Sequence, residues 1–347
     1  MHDEDDTMTK LLTVAIPCYN SQAYMAHAIE SVLPGGDDVE ILIVNDGSQK
    51  DDTAKVADDY ERRYPGIVRA IHKENGGHGD AVMTGIRNAA GKYYKVLDSD
   101  DWFDTEAFLR VLNRLKALDA AGDWVDLLLS NYVYDKAGAR HKYVVRYHHT
   151  LPENEIFTWE DTRRFRVGQY IQMHSIIYRT ELLRACGLKL PKHTFYVDEL
   201  YAYVPLTHVE RMMYLNENVY HYFIGREDQS VQEDIMISRI DQAIRVNQLM
   251  VSAVKINEIE DKHKRRYMLR YLEIITTVCS VLLIKSGTPE NRHKKRQLWA
   301  YIHERQPDVY LVLKRRFLGR LTNLPGRLGR RATLMSYKVS RKIFGFN

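Results

Sequence analysis

Cysteine is scarce in this chain: Cys18, Cys186 and Cys279 are the only three in 347 residues. None shares a metal-like spacing with another, and an odd number cannot all pair. That excludes a zinc-ribbon type of site and a disulfide framework, and it fits inert buried thiols in a reducing compartment. Long apolar runs are also missing. The best, Ile274 to Ile284, contains Thr276, Thr277 and Ser280. It is far short of the ~20 residues that cross a bilayer, so a buried bundle helix is expected there. No basic-then-apolar leader opens the sequence, and no secretory signal is expected; residues 2–8 read as an acidic start instead. There is no internal repeat or low-complexity tract. Glycine is absent from Pro17-Cys18-Tyr19-Asn20, the turn after the first apolar run. A dinucleotide-dependent oxidoreductase would need a G-x-G-x-x-G turn there, so that class is excluded. Acid is absent after Asp308, where ten lysines and arginines follow. The whole chain is +4, so residues 1–308 carry −6 against the tail's +10.

What is present is a chain long enough for two units, with 45% hydrophobic residues to bury. Leu11–Ile16, Val39–Val44, Ile67–Ile71 and Lys92–Leu97 are short, mostly apolar runs separated by helical patterns. One such helix carries Tyr24, Ala28, Ile29 and Val32 on a single face and stops at Pro34-Gly35-Gly36. Fourfold alternation of strand and helix predicts a parallel sheet covered on both faces. The strands end in polar or glycine-rich loops: Pro17-Cys18-Tyr19-Asn20, Asn45-Asp46-Gly47-Ser48, Asn75-Gly76-Gly77-His78-Gly79-Asp80 and Asp98-Ser99-Asp100-Asp101. Open α/β sheets bind ligands at that edge, so the loops read as one composite nucleotide site.

The last loop carries the most chemistry. Three carboxylates at a strand end repel one another and must stay hydrated or find a cation. A hard divalent metal carrying a diphosphate suits such oxygens. The plain alternative is an acidic N-cap, with Asp104 or Asp101 starting the helix over Thr105–Leu118, although one Asp suffices for a cap.

Thr13 to Asn20, Ile43 to Ser48 and Asp98 to Asp101, in that order and spacing, resemble the family 2 glycosyltransferases, inverting GT-A enzymes that use nucleotide-diphosphate sugars. The likeness is close over residues 11 to about 130 and looser to about 232. It implies a GT-A, Rossmann-like α/β domain over 10–232, with a nucleotide half (10–130) and an acceptor half (131–232). An α-helical region (233–347) with a basic tail (309–347) would follow, and residues 1–9 would be a flexible start. By position, the resemblance puts Pro17, Tyr19 and Asn20 in the nucleoside pocket and Asp46 on the base, usually uracil. Asp98 falls at the ribose or metal, Ser99 on the donor, and Asp100 on a Mn²⁺ or Mg²⁺ ion. Many members carry an arginine in the third loop. This chain has Ala81-Val82-Met83 there, leaving His78, Asp80 or Arg87 to take its place on the donor.

The general base is expected in Thr194–Leu200, an aromatic stretch ending in Asp198-Glu199. The family's paired acids map onto Val197-Asp198, so the resemblance implies Asp198 as base and Glu199 as its neighbour. The structural alternative is an N-cap Asp with Glu in the first turn. His221 to Val231 resembles a family loop that closes over the diphosphate, implying Arg226 and Ser230 as leaving-group contacts; otherwise it is a surface turn. Tyr170–Tyr178 alternates as a strand with Gln172 and His174 on one face, and Asn131–His149 reads as a hairpin around Asp135-Lys136-Ala137-Gly138. Trp102 fits either a sugar platform or a core position.

The tail interleaves its cations with Leu311, Leu313, Phe317, Leu318, Leu321, Leu324 and Leu328. Basic amphipathic helices suit anionic bilayers. A charged bundle face or an oligomer contact is the plainer reading, and nucleic acid is disfavoured because no binding module is recognisable. The expected function is metal-assisted, inverting transfer of a sugar from a UDP-sugar or similar donor to a glycan or lipid-linked saccharide. The expected setting is the cytoplasm, at the inner face of the membrane. A non-catalytic nucleotide-sugar scaffold and a nucleotidyltransferase are the rival readings.

Overall fold

The computed structural model describes residues 10–136, 142–166, 168–225 and 232–344. The first three apolar runs form β1 (Leu12–Cys18), β2 (Val39–Asp46) and β3 (Val68–Lys73), and the fourth forms β4 (Tyr93–Val96). Then come β5 (Trp102–Phe103), β6 (Leu127–Lys136), β7 (Tyr143–Val145), β8 (Ile156–Phe157), β9 (Ile176–Arg179) and β10 (Met212–Ile224). All join one sheet in the order β3-β2-β1-β4-β9-β6-β10-β5, with β7 on β6 and β8 on β10. The first four run parallel, β9 is antiparallel to β4 and β6, and β10 is parallel to β6. The mixed, mostly parallel α/β class expected from the alternation is therefore present. Every residue of β1 and β2 is buried, the signature of strands covered on both faces.

Helices α1 (Met25–Val32), α2 (Thr53–Arg63), α3 (His78–Asn88), α4 (Thr105–Ala120) and α5 (Thr180–Ala185) belong with this sheet. In α1, Met25, Ala28, Ile29 and Val32 are buried at helical spacing. Helix α3 approaches β1 closely at Gly85, where an added Cβ would lie 2.8 Å from the Ala15 Cβ and 2.4 Å from the Tyr94 hydroxyl. Asp104 caps α4, its carboxylate accepting from the Ala107 N–H at 2.9 Å. One acid thus serves as the cap, and Asp98–Asp101 are left for other work.

The remaining helices are α6 (Asp198–Tyr203), α7 (Glu233–Ser238), α8 (Ile240–Ala253), α9 (Lys262–Lys285), α10 (Pro289–Arg305), α11 (Pro307–Arg315), α12 (Phe317–Thr322) and α13 (Gly326–Phe344). They form a second compact unit, which also takes in Trp159–Ile171 and Phe195–Thr207; the sheet unit keeps Gln172–Thr194 and His208–Ile224. Helix α9 is long and apolar enough to cross a membrane by composition, but 78% of its most apolar window is buried within the protein. It packs against α8, α10 and α12 as the core of its unit. Its polar groups find partners there: Asn247 Nδ2 donates to Thr276 Oγ1 at 3.1 Å, and Trp299 Nε1 to Ser280 Oγ at 3.1 Å.

Two local expectations change. Tyr170–Tyr178 is not one strand: Met173–Ser175 form a tight helical turn, with the Ser175 N–H donating to the Gln172 carbonyl at 3.0 Å, and β9 starts only at Ile176. The hairpin of 131–149 is present as β6 and β7, paired from Tyr132↔Val145 to Tyr134↔Tyr143. Ala137 and Gly138 of its turn lie outside the described residues.

Candidate functional site

Parallel strands deliver their carboxyl ends to one edge, so the four loops meet there. Hydrogen bonds tie each to the next. The Asn20 N–H donates to Ser48 Oγ at 2.9 Å, and the Asn20 Oδ1 accepts from the N–H groups of Gln49 and Lys50. Asn20 itself sits at φ 50°, a left-handed conformation that asparagine tolerates. Asp46 joins the second loop to the third, His78 joins the third to the fourth, and Ser99 Oγ closes the ring to Ser21 Oγ at 2.9 Å. Pro17 is buried within β1 opposite Val44, whereas Tyr19 is half exposed beside the edge.

Asp46, the residue expected on the nucleobase, is hydrogen-bonded to the glycine loop. Its Oδ1 accepts from the Gly76 N–H at 2.9 Å and from Lys73 Nζ; its Oδ2 accepts from the Gly77 N–H at 2.7 Å and Asn75 Nδ2 at 3.2 Å. A carboxylate offers about four lone-pair sites, and all are taken, so Asp46 fixes the glycine loop. Gly77 permits this by adopting φ +83°, with the His193 backbone too near for a side chain. Asp80 is likewise paired, with Lys73 Nζ at 2.8 Å and Lys192 Nζ at 3.6 Å. Burial works to raise its carboxyl, but the Lys73 hydrogen bond and charge outweigh that and hold it low.

The fourth loop is a tight turn in which the Asp101 N–H donates to the Asp98 carbonyl at 3.0 Å. Turn closure brings the first and fourth residues together. Asp98, Asp101 and His174 consequently place one ligand atom each within 4.8 Å of one another, a group able to hold a metal ion. Asp100, the expected ligand, is not a member of this cluster. The resemblance put Asp98 at the ribose or metal and Asp100 on the metal; the turn brings Asp98 and Asp101 together.

The electrostatics of the cluster fit a cation. Asp101 is 1% exposed, accepting from Tyr220 Oη at 2.6 Å and the Phe223 N–H at 2.8 Å. Burial, reinforced by the charges of Asp100 and Asp98, still pushes its carboxyl well above the usual range. Burial also acts to raise Asp98, yet the charge and 2.8 Å hydrogen bond of His78, with the His174 charge adding, hold it below that range. Burial lowers His174 to about 4, which leaves a neutral imidazole suited to metal ligation. Its buried Nδ1 has no hydrogen-bond partner among the described residues. Two carboxylates and an imidazole with an unsatisfied nitrogen match the donors that Mn²⁺-like ions take.

Sequence reading missed the residues that hold this cluster. Lys95, fully buried in β4, donates to the carbonyls of His174 at 2.8 Å and Ile176 at 3.2 Å and lies over the Tyr220 and Phe103 rings. Burial lowers it to about 7. A lone lysine inside an apolar strand was the available signal. Tyr220 gave none, being one tyrosine among 23. Trp102 stacks between His27 (4.7 Å) and His221 (5.4 Å).

Asp198 opens α6 in the helical unit, half-buried, with Glu199 beside it. Glu199 accepts from Tyr271 Oη at 2.8 Å, and burial together with the Asp198 charge pushes it up to about 8. Glu199 therefore holds its proton near neutral pH. Arg226 and Ser230 lie outside the described residues.

Residues 13–183 match the family model described as glycosyl transferase family 2. The chain is 28% identical over 222 residues to EpsJ, an uncharacterized glycosyltransferase of Bacillus subtilis (strain 168), covering 62% of this chain and 61% of EpsJ. It is 39% identical over 110 residues to RP339, an uncharacterized glycosyltransferase of Rickettsia prowazekii (strain Madrid E), covering 31% of this chain and 33% of that one. The match thus spans less than two thirds of either relative. Among solved structures, S. aureus TarS 1-349 in complex with UDP-GlcNAc superposes with a TM-score of 0.66 at 18% identity, over 96% of this chain and 91% of that one. The mannosyltransferase PcManGT from Pyrobaculum calidifontis, in complex with GDP-Man and Mn²⁺, gives 0.51 at 13% identity, over 95% and 87%. The fold is that of the GT-A glycosyltransferases.

Proposed function

We propose that this chain, whose residues 13–183 match the glycosyl transferase family 2 model, transfers a sugar from a nucleotide-diphosphate donor to a hydroxyl acceptor with inversion. The observation that carries this reading is the cluster of Asp98, Asp101 and His174 at the carboxyl edge of the sheet, among four loops tied into one rim. It is supported by the likeness in fold to proteins that hold UDP-GlcNAc, or GDP-Man with Mn²⁺. We take the donor to be a UDP-sugar, and Asp98, Asp101 and His174 to hold the ion. A divalent ion bound there supplies Lewis-acid neutralisation of the departing diphosphate.

The chain's own residues do the rest. The ring of hydrogen bonds fixes the loops before the donor arrives, so little ordering is left to do on binding. Lys95 and Tyr220 hold His174 and Asp101 from behind, as groups around a metal site must if the ligands are to stay aimed. Asp198 takes the proton of the attacking hydroxyl. Glu199 lies beside it, accepting from Tyr271 Oη; removing the acceptor's proton is general-base work. A glycan or lipid-linked saccharide is the acceptor class in this reading.

The test is nucleoside diphosphate release from a panel of nucleotide sugars with Mn²⁺ or Mg²⁺. Turnover of one donor that requires the ion is expected. Asp198→Asn should lower kcat by ~10²–10⁴-fold while donor affinity holds. Pyrophosphate as the product would assign a nucleotidyltransferase, and donor binding with no turnover for any acceptor would assign a scaffold.

A further inference from the structure

Helix α13 turns hydroxyls inward and leaves apolar side chains exposed among cations. On the inner side Thr333 is buried, its hydroxyl donating to the carbonyls of Leu321 at 2.7 Å and Gly329 at 3.0 Å. Tyr337 Oη donates to Glu233 Oε1 at 2.7 Å. On the outer side Leu328, Met335 and Val339 are 79%, 69% and 56% exposed. Their spacing of seven and four residues puts them on one stripe of a helix. Arg327, Arg331 and Lys338 are exposed along the same helix, and the preceding elements add Phe317, at 75%, with Leu311 and Val312. Single exposed apolar residues are ordinary, but a periodic stripe that faces outward while hydroxyls face inward calls for an occupant.

The charge says which occupant. Ten lysines and arginines and no acid follow Asp308. A second copy of this chain would bring the same cations to the same face and be repelled. Nucleic acid would answer the charge but offers nothing to receive the stripe. A surface of acidic headgroups over acyl chains answers both. We infer that α13, with α11 and α12, is a docking surface for an anionic lipid bilayer. The helix lies in the headgroup plane, with Leu328, Met335 and Val339 inserted and the cations among the phosphates.

Cosedimentation of the full chain with phosphatidylcholine vesicles, with and without a third phosphatidylglycerol, tests this. Binding is expected to the anionic vesicles only, and to weaken with salt. Arg327→Gln, Arg331→Gln and Lys338→Gln together should lower partitioning on the order of a hundredfold, about fivefold per cation. Leu328→Gln, Met335→Gln and Val339→Gln together should also abolish stable binding. All six positions are exposed, so an unchanged thermal melt is expected and certifies the fold. A wild-type chain that ignores anionic vesicles, or an apolar triple variant that binds as well as wild type, would overturn the inference. So would a dimer that the apolar substitutions dissociate without any vesicle binding, which would give the face to a second copy.

Discussion

At Asp101 a buried carboxyl accepts two hydrogen bonds and still titrates high, because burial and the charges of Asp100 and Asp98 outweigh what Tyr220 and Phe223 return. Its neighbour Asp100 lies at the tip of the same turn. The two should therefore differ as variants. Asp101→Asn is expected to cost on the order of 10²–10³-fold in ion-dependent turnover, the scale of one lost electrostatic contact to the reacting groups. Asp100→Asn should cost far less, and comparing kcat at saturating Mn²⁺ checks the ranking. Equal losses would return Asp100 to the metal. Glu199 supports a pH prediction of definite sign. Its carboxyl moves from about 4.5 in the unfolded chain to about 8 in the folded one, through burial and the charge of Asp198. Between those values the unfolded chain has lost a proton that the folded chain keeps. Stability should thus fall as pH rises through that window, by at most ~1.4 kcal/mol per pH unit. Glu199→Gln, which still accepts from Tyr271, should flatten the dependence; urea midpoints from pH 5 to 8 would decide it.

Among the elements, the junction of α3 with β1 and β4 is the most demanding. Gly85 lets the helix approach until a Cβ would meet Ala15 and the buried Tyr94, whose hydroxyl is held by the Val82 carbonyl at 3.1 Å. Alanine would gain ~1 kcal/mol in helix propensity, but overpacking typically costs ~1–3 kcal/mol. Sterics win, because Ala15 sits in a central strand and cannot yield. Gly85→Ala should destabilise by up to ~2 kcal/mol and loosen the glycine loop at the start of α3, seen as a lower denaturation midpoint and weaker donor binding. At this scale much was legible in the sequence. Mostly apolar runs located β1, β2 and β4 to within two residues at either end, and Asp104 or Asp101 marked the start of α4, because these signals are local. Tyr170–Tyr178 misled because alternation does not reveal a turn closed from Gln172 to Ser175. That turn holds His174, whose carbonyl Lys95 grips from another strand.

For the molecule as a whole, the two units are woven from one chain. Trp159 and Phe165 lie 5.2 and 4.6 Å from the Tyr267 ring, Tyr203 lies 5.2 Å from Tyr271, and the Ile171 N–H donates to Tyr267 Oη at 2.9 Å. These partners come from α9, far along the sequence. A fragment cut after Gln232, the domain limit suggested by the resemblance, would lose them all and expose a large apolar patch. It should bind hydrophobic dyes and aggregate on gel filtration, whereas a monomeric, cooperatively unfolding fragment would contradict this division of the chain.

By itself the sequence determined the order of strands and helices, the edge where the polar loops gather and the charge of the tail. Apolar runs, caps and composition act over a few residues and need no distant partner. Only the tertiary structure decided that Asp101 and His174, rather than Asp100, stand with Asp98. It alone showed that Asp46 accepts from the glycine loop and that Asp198 belongs to the helical unit. It also showed that α13 turns Leu328, Met335 and Val339 outward. Each of these depends on turn closure or on contacts between residues far apart in the chain, and no local pattern encodes which of several equivalent side chains will meet.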